Sequence, residues 1–171
     1  QHPMRHGIYT VAHSARGKSR DRALIPTKNT LVLADSMLTL AEVLQDAGYR
    51  TGIFGKWHLG PEPSTQGFEV VMACTGRRKT HFAPFDLPGI AGEEEGEYLT
   101  DRLAEEAVRF IEESKEQPIF LYLPFFSIHT KVGGKAETVD KYRGVPAVDG
   151  QGNHPDYAAM IDHIDDAVGR V

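Results

Sequence analysis

Lys56 and His58 stand two residues apart in Gly55-Lys56-Trp57-His58-Leu59-Gly60, just after an apolar stretch and between two glycines. On extended backbone, alternate side chains share one side, so the cation and the imidazole would address one site together. Trp57 would point the other way and anchor the segment by burying its ring. Lys56 offers a compact positive charge with three donors, and His58 together with a second loop histidine, His129, can exchange protons near neutral pH. This set suits a doubly charged oxyanion ester whose leaving oxygen needs a proton. Transfer of such a group also requires a nucleophile and usually a cation to offset charge on the nonbridging oxygens. Neither is visible in the chain. The bland reading of the same residues is a tight turn with an exposed lysine and a core tryptophan, and a hydrogen-bonded structural histidine at 129.

The elements that must hold these groups follow from periodicity. Thr39 with Glu42 has the form of a capping box, Leu40, Val43, Leu44 and Ala47 follow at helical spacing, and Gly48 suits the stop, so a helix is expected there. Residues 50 to 54 are β-compatible and run straight into the hexapeptide. Lys56 and His58 would then lie beyond the carboxyl end of a strand, the edge at which open parallel sheets bind ligands. Residues 61 to 97 carry four prolines and several glycines and read as a long irregular excursion with one short strand near 68 to 72. From 98 to 116, Leu99, Leu103, Ala107, Phe110 and Ile111 form the apolar stripe of an amphipathic helix, and Pro118 breaks it. Residues 119 to 123 are apolar without alternation, as in a strand covered on both faces, and His129 falls in the next loop. Tyr157, Met160, Ile161, Ile164 and Val168 predict a last helix. Residues 1 to 35 are basic, broken by Pro and Gly, and read as loops and short elements. Helix, strand, helix, strand, helix predicts an α/β chain with helices on both faces of a mostly parallel sheet.

Composition bounds the answer. With 171 residues and 40% apolar content the chain can bury a real core of one domain or a large piece of one. A formal charge of -5 argues against nucleic-acid binding as the main task. A single cysteine excludes an internal disulfide framework, and no run approaches a membrane span. The chain opens on Gln1, and both ends are expected to be cuts in a longer protein. Oligomeric state is not readable.

Other clusters invite chemistry and are assigned plainer roles. Cys74 reads as an ordinary thiol, and Arg77, Arg78, Lys79 and His81 as a solvated basic run that is at most a specificity element. Asp162, His163, Asp165 and Asp166 resemble metal ligands, but the stripe through Ile161, Ile164 and Val168 turns them toward solvent as a polar helix face. Glu93, Glu94, Glu95 and Glu97 read as solvated acids beside a helix N-terminus.

The hexapeptide closely resembles the GKWHLG signature of the sulfatase family, within the alkaline phosphatase superfamily, and residues 47 to 51 resemble its lead-in. Residues 96 to 110, 120 to 130, 157 to 161 and 168 to 171 are similar to successive sulfatase segments in family order. The resemblance implies an alkaline phosphatase-like α/β sandwich, incomplete here, with residues 1 to 171 as part of an N-terminal catalytic domain of a sulfuric ester hydrolase. It implies that Lys56 binds the sulfate oxygens and the nucleophile, that His58 helps release sulfate from the covalent intermediate, and that His129 contacts the ester and assists departure of the alcohol. The family's nucleophile is a formylglycine made from a C/S-x-P-S-R motif, and its calcium ion is held by an Asp pair and an Asp-Asn pair. Both are expected outside this chain, whose start at residues 2 to 8 resembles the segment a little after the nucleophile helix. Cys74-Thr75-Gly76-Arg77-Arg78 lacks the proline and serine of that motif. His129-Thr130-Lys131 departs from the family's frequent H-T-P, loses a fixed φ and gains a cation that would either contact a polyanionic substrate or simply point at water. The implied substrate is a sulfated small molecule or polysaccharide, and the implied location is exported: periplasmic, secreted or lysosomal. The fragment alone is expected to be inactive. A phosphomonoesterase or phosphonate hydrolase of the same superfamily, or a noncatalytic anion-binding relative, would use the same pocket.

Overall fold

The computed structural model describes residues 2–10, 23–24, 27–60, 62–74, 81–85, 87–147 and 152–171, apart from the side chain of Cys74. In chain order the elements are α1 (Pro3–His6), α2 (Leu40–Asp46), β1 (Arg50–Lys56), a 3-10 turn (Pro63–Gln66), β2 (Val70–Cys74), α3 (Leu99–Glu112), β3 (Ile119–Tyr122), α4 (Ala136–Arg143) and α5 (Pro155–Arg170). The three strands form one parallel sheet in the order β2-β1-β3, with Gly52 opposite Val70 on one side and Leu121 on the other.

β1 is central and its alternation divides the core. Phe54 packs on one face with Leu99, Leu103 and Phe110 of α3, whereas Ile53 packs on the opposite face with Ala41 of α2, Trp57 and Phe68. The sheet is therefore covered by helices on both faces, as expected for a parallel sheet. Phe54 and Phe110 meet at a tilted 5.5 Å, and a Cβ on Gly52 would stand 3.0 Å from the Phe110 ring, so this glycine lets α3 lie close on the strand. α5 packs behind α3 and against α4.

α3 follows its apolar stripe, with Leu99, Leu103, Ala107 and Phe110 buried. Its polar side is tied by Arg102, which donates to Glu97 at 2.9 Å and to the buried Glu106 at 2.8 Å. The capping box of α2 is formed in both directions: Thr39 Oγ1 accepts from Glu42 N–H, and Glu42 accepts from Thr39 N–H at 2.7 Å.

Several expectations are corrected. β1 continues two residues past 54 into the hexapeptide, and β2 lies at 70–74 instead of 68–72. In α2 the buried residue is Ala41, while Leu40 and Val43 of the expected stripe are exposed. In α5 the buried face is Ala159, Met160, His163 and Ala167, while Tyr157, Ile161 and Val168 are exposed. Close approach selects the small-residue face of α5: a Cβ on Gly134 would meet Ala159 Cβ at 2.6 Å, a gap that a larger side chain at 159 would close. The helix α4 was not expected, because Val139 is its one buried residue and leaves no stripe to read.

Candidate active site at the carboxyl edge of the sheet

β1 reaches Lys56 because that residue still has a hydrogen-bonding neighbour on each side. Its Cα is in register with Cys74 of β2, and its N–H donates to Pro124 O at 2.7 Å, where the chain leaves β3. Gly55 makes the approach feasible. Its φ is +133°, and a Cβ there would lie 2.2 Å from Pro124 O and 2.8 Å from Pro124 C. Beyond the strand the alternation persists, with Lys56 half-buried, Trp57 5% exposed against Phe68, and His58 exposed. The tryptophan anchor expected from sequence is thus in place.

The same edge receives the segment after β3. His129 is exposed, and its N–H donates to Phe126 O at 3.1 Å. Its Nδ1 lies 2.8 Å from Thr130 O, and a carbonyl can only accept, so the Nδ1 proton is fixed and Nε2 of the neutral ring carries the free lone pair. Lys131 is exposed two residues on. Among the described residues neither Lys56 nor Lys131 has a carboxylate partner. Pairing of β1 with β3 therefore sets Lys56-Trp57-His58 beside the start of the segment that carries His129-Thr130-Lys131, at the carboxyl edge of the sheet.

Behind this loop lies a layer that sequence reasoning missed. His81 belongs to no solvated basic run: it is 9% exposed, and its Nε2–H donates to Lys131 O at 2.8 Å. Tyr98, 2% exposed at the start of α3, donates its hydroxyl to Gly133 O at 3.1 Å. Burial pushes the Tyr98 hydroxyl above its ordinary value, which keeps it a donor. His163 is likewise buried instead of lying on a polar face, meets the Tyr98 ring at a tilted 4.7 Å, and accepts Lys135 N–H at Nε2 at 3.1 Å. Burial, and then the nearby Lys135 charge, hold its pKa below the ordinary value, consistent with a neutral acceptor. Of its acidic neighbours, Asp162 pairs with Lys141 at 2.7 Å, and Asp165 and Asp166 are exposed. Asp101 of α3 binds both Lys135 and Arg170, and those hydrogen bonds hold its carboxyl low despite the opposing effect of burial. Glu93 and Glu97 are also not merely solvated, since Glu93 accepts Phe85 N–H at 2.7 Å and Glu97 pairs with Arg102.

Among the described residues no group of three or more His, Cys, Asp or Glu side chains could hold a metal ion. The donor set among the described residues therefore does not fit calcium. Arg77, Arg78 and Lys79 lie outside the described residues.

The sequence profile of the sulfatase family matches residues 7–171. This chain belongs to the sulfatase family. It is 29% identical over 195 aligned residues to the N-acetylgalactosamine-6-sulfatase of Homo sapiens, an alignment that covers 99% of this chain and 34% of that protein. The crystal structure of Ps i-CgsB in complex with k-i-k-neocarrahexaose superposes with a TM-score of 0.69 at 26% identity, covering 85% of this chain and 38% of that one. A second solved structure, bound to its substrate D-glucosamine-2-N,6-O-disulfate, superposes with a TM-score of 0.55 at 26% identity, covering 70% and 25%. The chain spans about a third of the length of the curated sulfatase quoted. Its parallel sheet between helices is the alkaline phosphatase-like α/β fold of the family's structures. The profile match includes both the Lys56 hexapeptide and the His129 loop.

Proposed function

We propose that this chain supplies the sulfate-binding edge of a sulfuric ester hydrolase, its residues 1–171 forming part of an N-terminal catalytic domain. The observation that carries the reading is the joining of the two segments at one edge, with Lys56 N–H on Pro124 O at 2.7 Å and both flanking lysines free of carboxylate partners among the described residues. Lys56 binds the nonbridging sulfate oxygens from the rigid end of the central strand. A compact ammonium there stabilises charge that grows on the oxygens as the ester bond breaks. His129, with its Nδ1 proton committed to Thr130 O, presents Nε2 outward, and in its protonated form that nitrogen gives a proton to the departing alcohol oxygen. His58, exposed at the same edge, assists release of sulfate from the enzyme. Lys131 binds a further anionic group of the substrate.

The nucleophile in this reading is a formylglycine outside this chain, and a divalent cation such as calcium, with its ligands also outside this chain, would offset sulfate charge. The substrate class is a sulfated sugar, small or polymeric. The names of the human relative and the bound disulfated glucosamine of the structural neighbour support that class. Export of the enzyme to a periplasmic, secreted or lysosomal location accompanies the reading, and the isolated 171-residue chain is inactive.

The test is peptide mass spectrometry of the protein expressed at its natural full length, with turnover of p-nitrophenyl sulfate and p-nitrophenyl phosphate measured side by side. A formylglycine mass together with preference for the sulfate ester is expected. An unmodified residue with preference for the phosphate ester would replace this reading with a phosphoesterase, and turnover of neither ester would indicate an anion-binding protein.

A further inference from the structure

We propose that His81 and Tyr98 are positioning residues for ester hydrolysis, acting as a buried clamp on the main chain of the loop that carries His129 and Lys131. The inference rests on the sulfatase reading for its catalytic part and on geometry alone for the clamp. The loop is held at a series of points and left free between them. Ser127 Oγ lies 3.0 Å from Thr100 Oγ1, Lys131 O accepts from His81, Gly133 O accepts from Tyr98, and Lys135 N–H donates to His163. Gly133 N–H also points at Met160 Sδ at 3.3 Å. His129 and Thr130 are exposed between the anchors at 127 and 131.

The clamp groups are themselves fixed. His81 O accepts Leu99 N–H at 2.9 Å, which ties the imidazole's backbone to the first turn of α3. Tyr98 is packed on three sides by Phe82 at 5.1 Å, His163 at 4.7 Å and His81 at 6.3 Å. Both clamp bonds end on backbone carbonyls, which makes them insensitive to the identity of the loop side chains. Neither donor points into the exposed edge, so neither touches substrate. A rigid base that holds a loop's backbone while its side chains face solvent is what positions an acid for a near-attack geometry.

The experiment compares wild type, Tyr98→Phe, His81→Phe and His81→Gln in the full-length protein, the last because its amide can replace the imidazole donor. Two readouts are taken: amide hydrogen exchange of peptides within 127–135, and kcat and KM for aryl sulfates of graded leaving-group pKa. Loss of one hydrogen bond should speed local exchange by roughly 5- to 10-fold in Tyr98→Phe and His81→Phe. In the same variants kcat should fall by about 10- to 100-fold, more for poor leaving groups, with KM changed by less than about 2-fold. His81→Gln should recover most of both. Faster exchange with unchanged kcat would overturn the positioning role, as would equal losses in the Phe and Gln variants at position 81. An inactive wild type with the exchange differences intact would overturn the sulfatase reading while leaving the clamp standing. If Tyr98→Phe does not fold, the pair at position 81 decides alone.

Discussion

Replacing Gly55 by alanine tests whether the site depends on how closely β3's exit approaches the end of β1. The added Cβ would lie 2.2 Å from Pro124 O, whereas a carbon and a carbonyl oxygen rest at roughly 3.3 Å or more, so the two segments must part by about 1 Å. No rotamer relieves this, because the opposing atoms are backbone. The conformation adds to the cost: a φ of +133° is open essentially to glycine, and holding a side chain there costs about 1–3 kcal/mol. Parting the segments also sacrifices the Lys56 N–H to Pro124 O bond, worth about 1 kcal/mol net. The expected loss is about 2–4 kcal/mol of unfolding free energy. Turnover should fall by roughly 100-fold, since a 1 Å displacement of reacting groups is enough for that. Urea unfolding and steady-state kinetics of the full-length protein measure the two effects. Gly144→Ala is the control, since nothing lies within 4 Å of its Cβ position. If Gly55→Ala matched wild type in midpoint and rate, the reasoning about this contact would be refuted. Lost stability with normal turnover would refute only its link to the site.

Other perturbations probe single groups. Lys56→Ala should lower kcat by about 100- to 1,000-fold with the unfolding midpoint nearly unchanged, and near-normal rates in a sulfate-ester assay would remove it from the site. His129→Ala should depress turnover most for substrates with poor leaving groups; a uniform loss across a leaving-group series would show that it donates no proton. Because the neutral form of His163 is favoured in the fold, the unfolded chain binds more protons as pH falls. Its contribution to stability is therefore full above the ordinary imidazole value of 6.5, declines as pH drops through that value, and levels off below the lowered folded pKa. The charges facing it are Lys135 before α4, Asp101 on α3, and Asp162 and Asp166 on α5. In His163→Gln the decline in that window should be smaller, and an unchanged slope in urea titrations across pH would discount the assignment. Arg102→Met should cost about 1.5–3 kcal/mol, since it removes one of the two charged partners of Glu106, whose side chain is 3% exposed and which keeps Arg109 at 2.6 Å; a loss below about 0.5 kcal/mol would mark the pair as surface-like.

What the sequence revealed depended on whether large apolar side chains were doing the packing. α3 and β3 were readable because Leu103 and Phe110, and the run from Ile119, are the residues that meet the sheet. The helix α5 was readable too, but its buried face was not, for the opposite reason. It carries two candidate faces, and the bulkier one, with Ile161 and Val168, is exposed, while Ala159 and Ala167 are fully buried on a helix that packs on α3 and α4. Periodicity weights residues by hydrophobicity and cannot see that a close approach requires small ones. The same holds for Ala41 against Leu40 and Val43 in α2. Of the site, Lys56, Trp57 and His58 were legible because the strand's period of two extends through them. His81 and Tyr98 were not, because their partners are carbonyls 50 and 35 residues away, and a carbonyl has no sequence signature.

The two halves of the edge differ in rigidity, and this bears on where selectivity can change. Lys56 ends the central strand, with β2 and the exit from β3 on either side, and its preceding glycine is in contact with backbone. A displacement there must move the sheet. His129 and Lys131 sit on a connection between β3 and α4 that is fixed through its carbonyls and amides, leaving its side chains unconstrained by packing. In the proposed reading, substitutions at 131 would therefore alter which anionic substrate is accepted without disturbing the backbone that aims His129, whereas Thr130 lies against the His129 ring, with its Oγ1 3.3 Å from Nδ1. Changes at 55 to 57 alter the site and the core together, because Trp57 lies in the cluster on one face of the sheet while Lys56 serves its edge. In the proposed reading the strand end binds the sulfate and the loop held through its carbonyls meets the rest of the substrate, and the β1–β3 pairing sets the strand end beside the start of that segment.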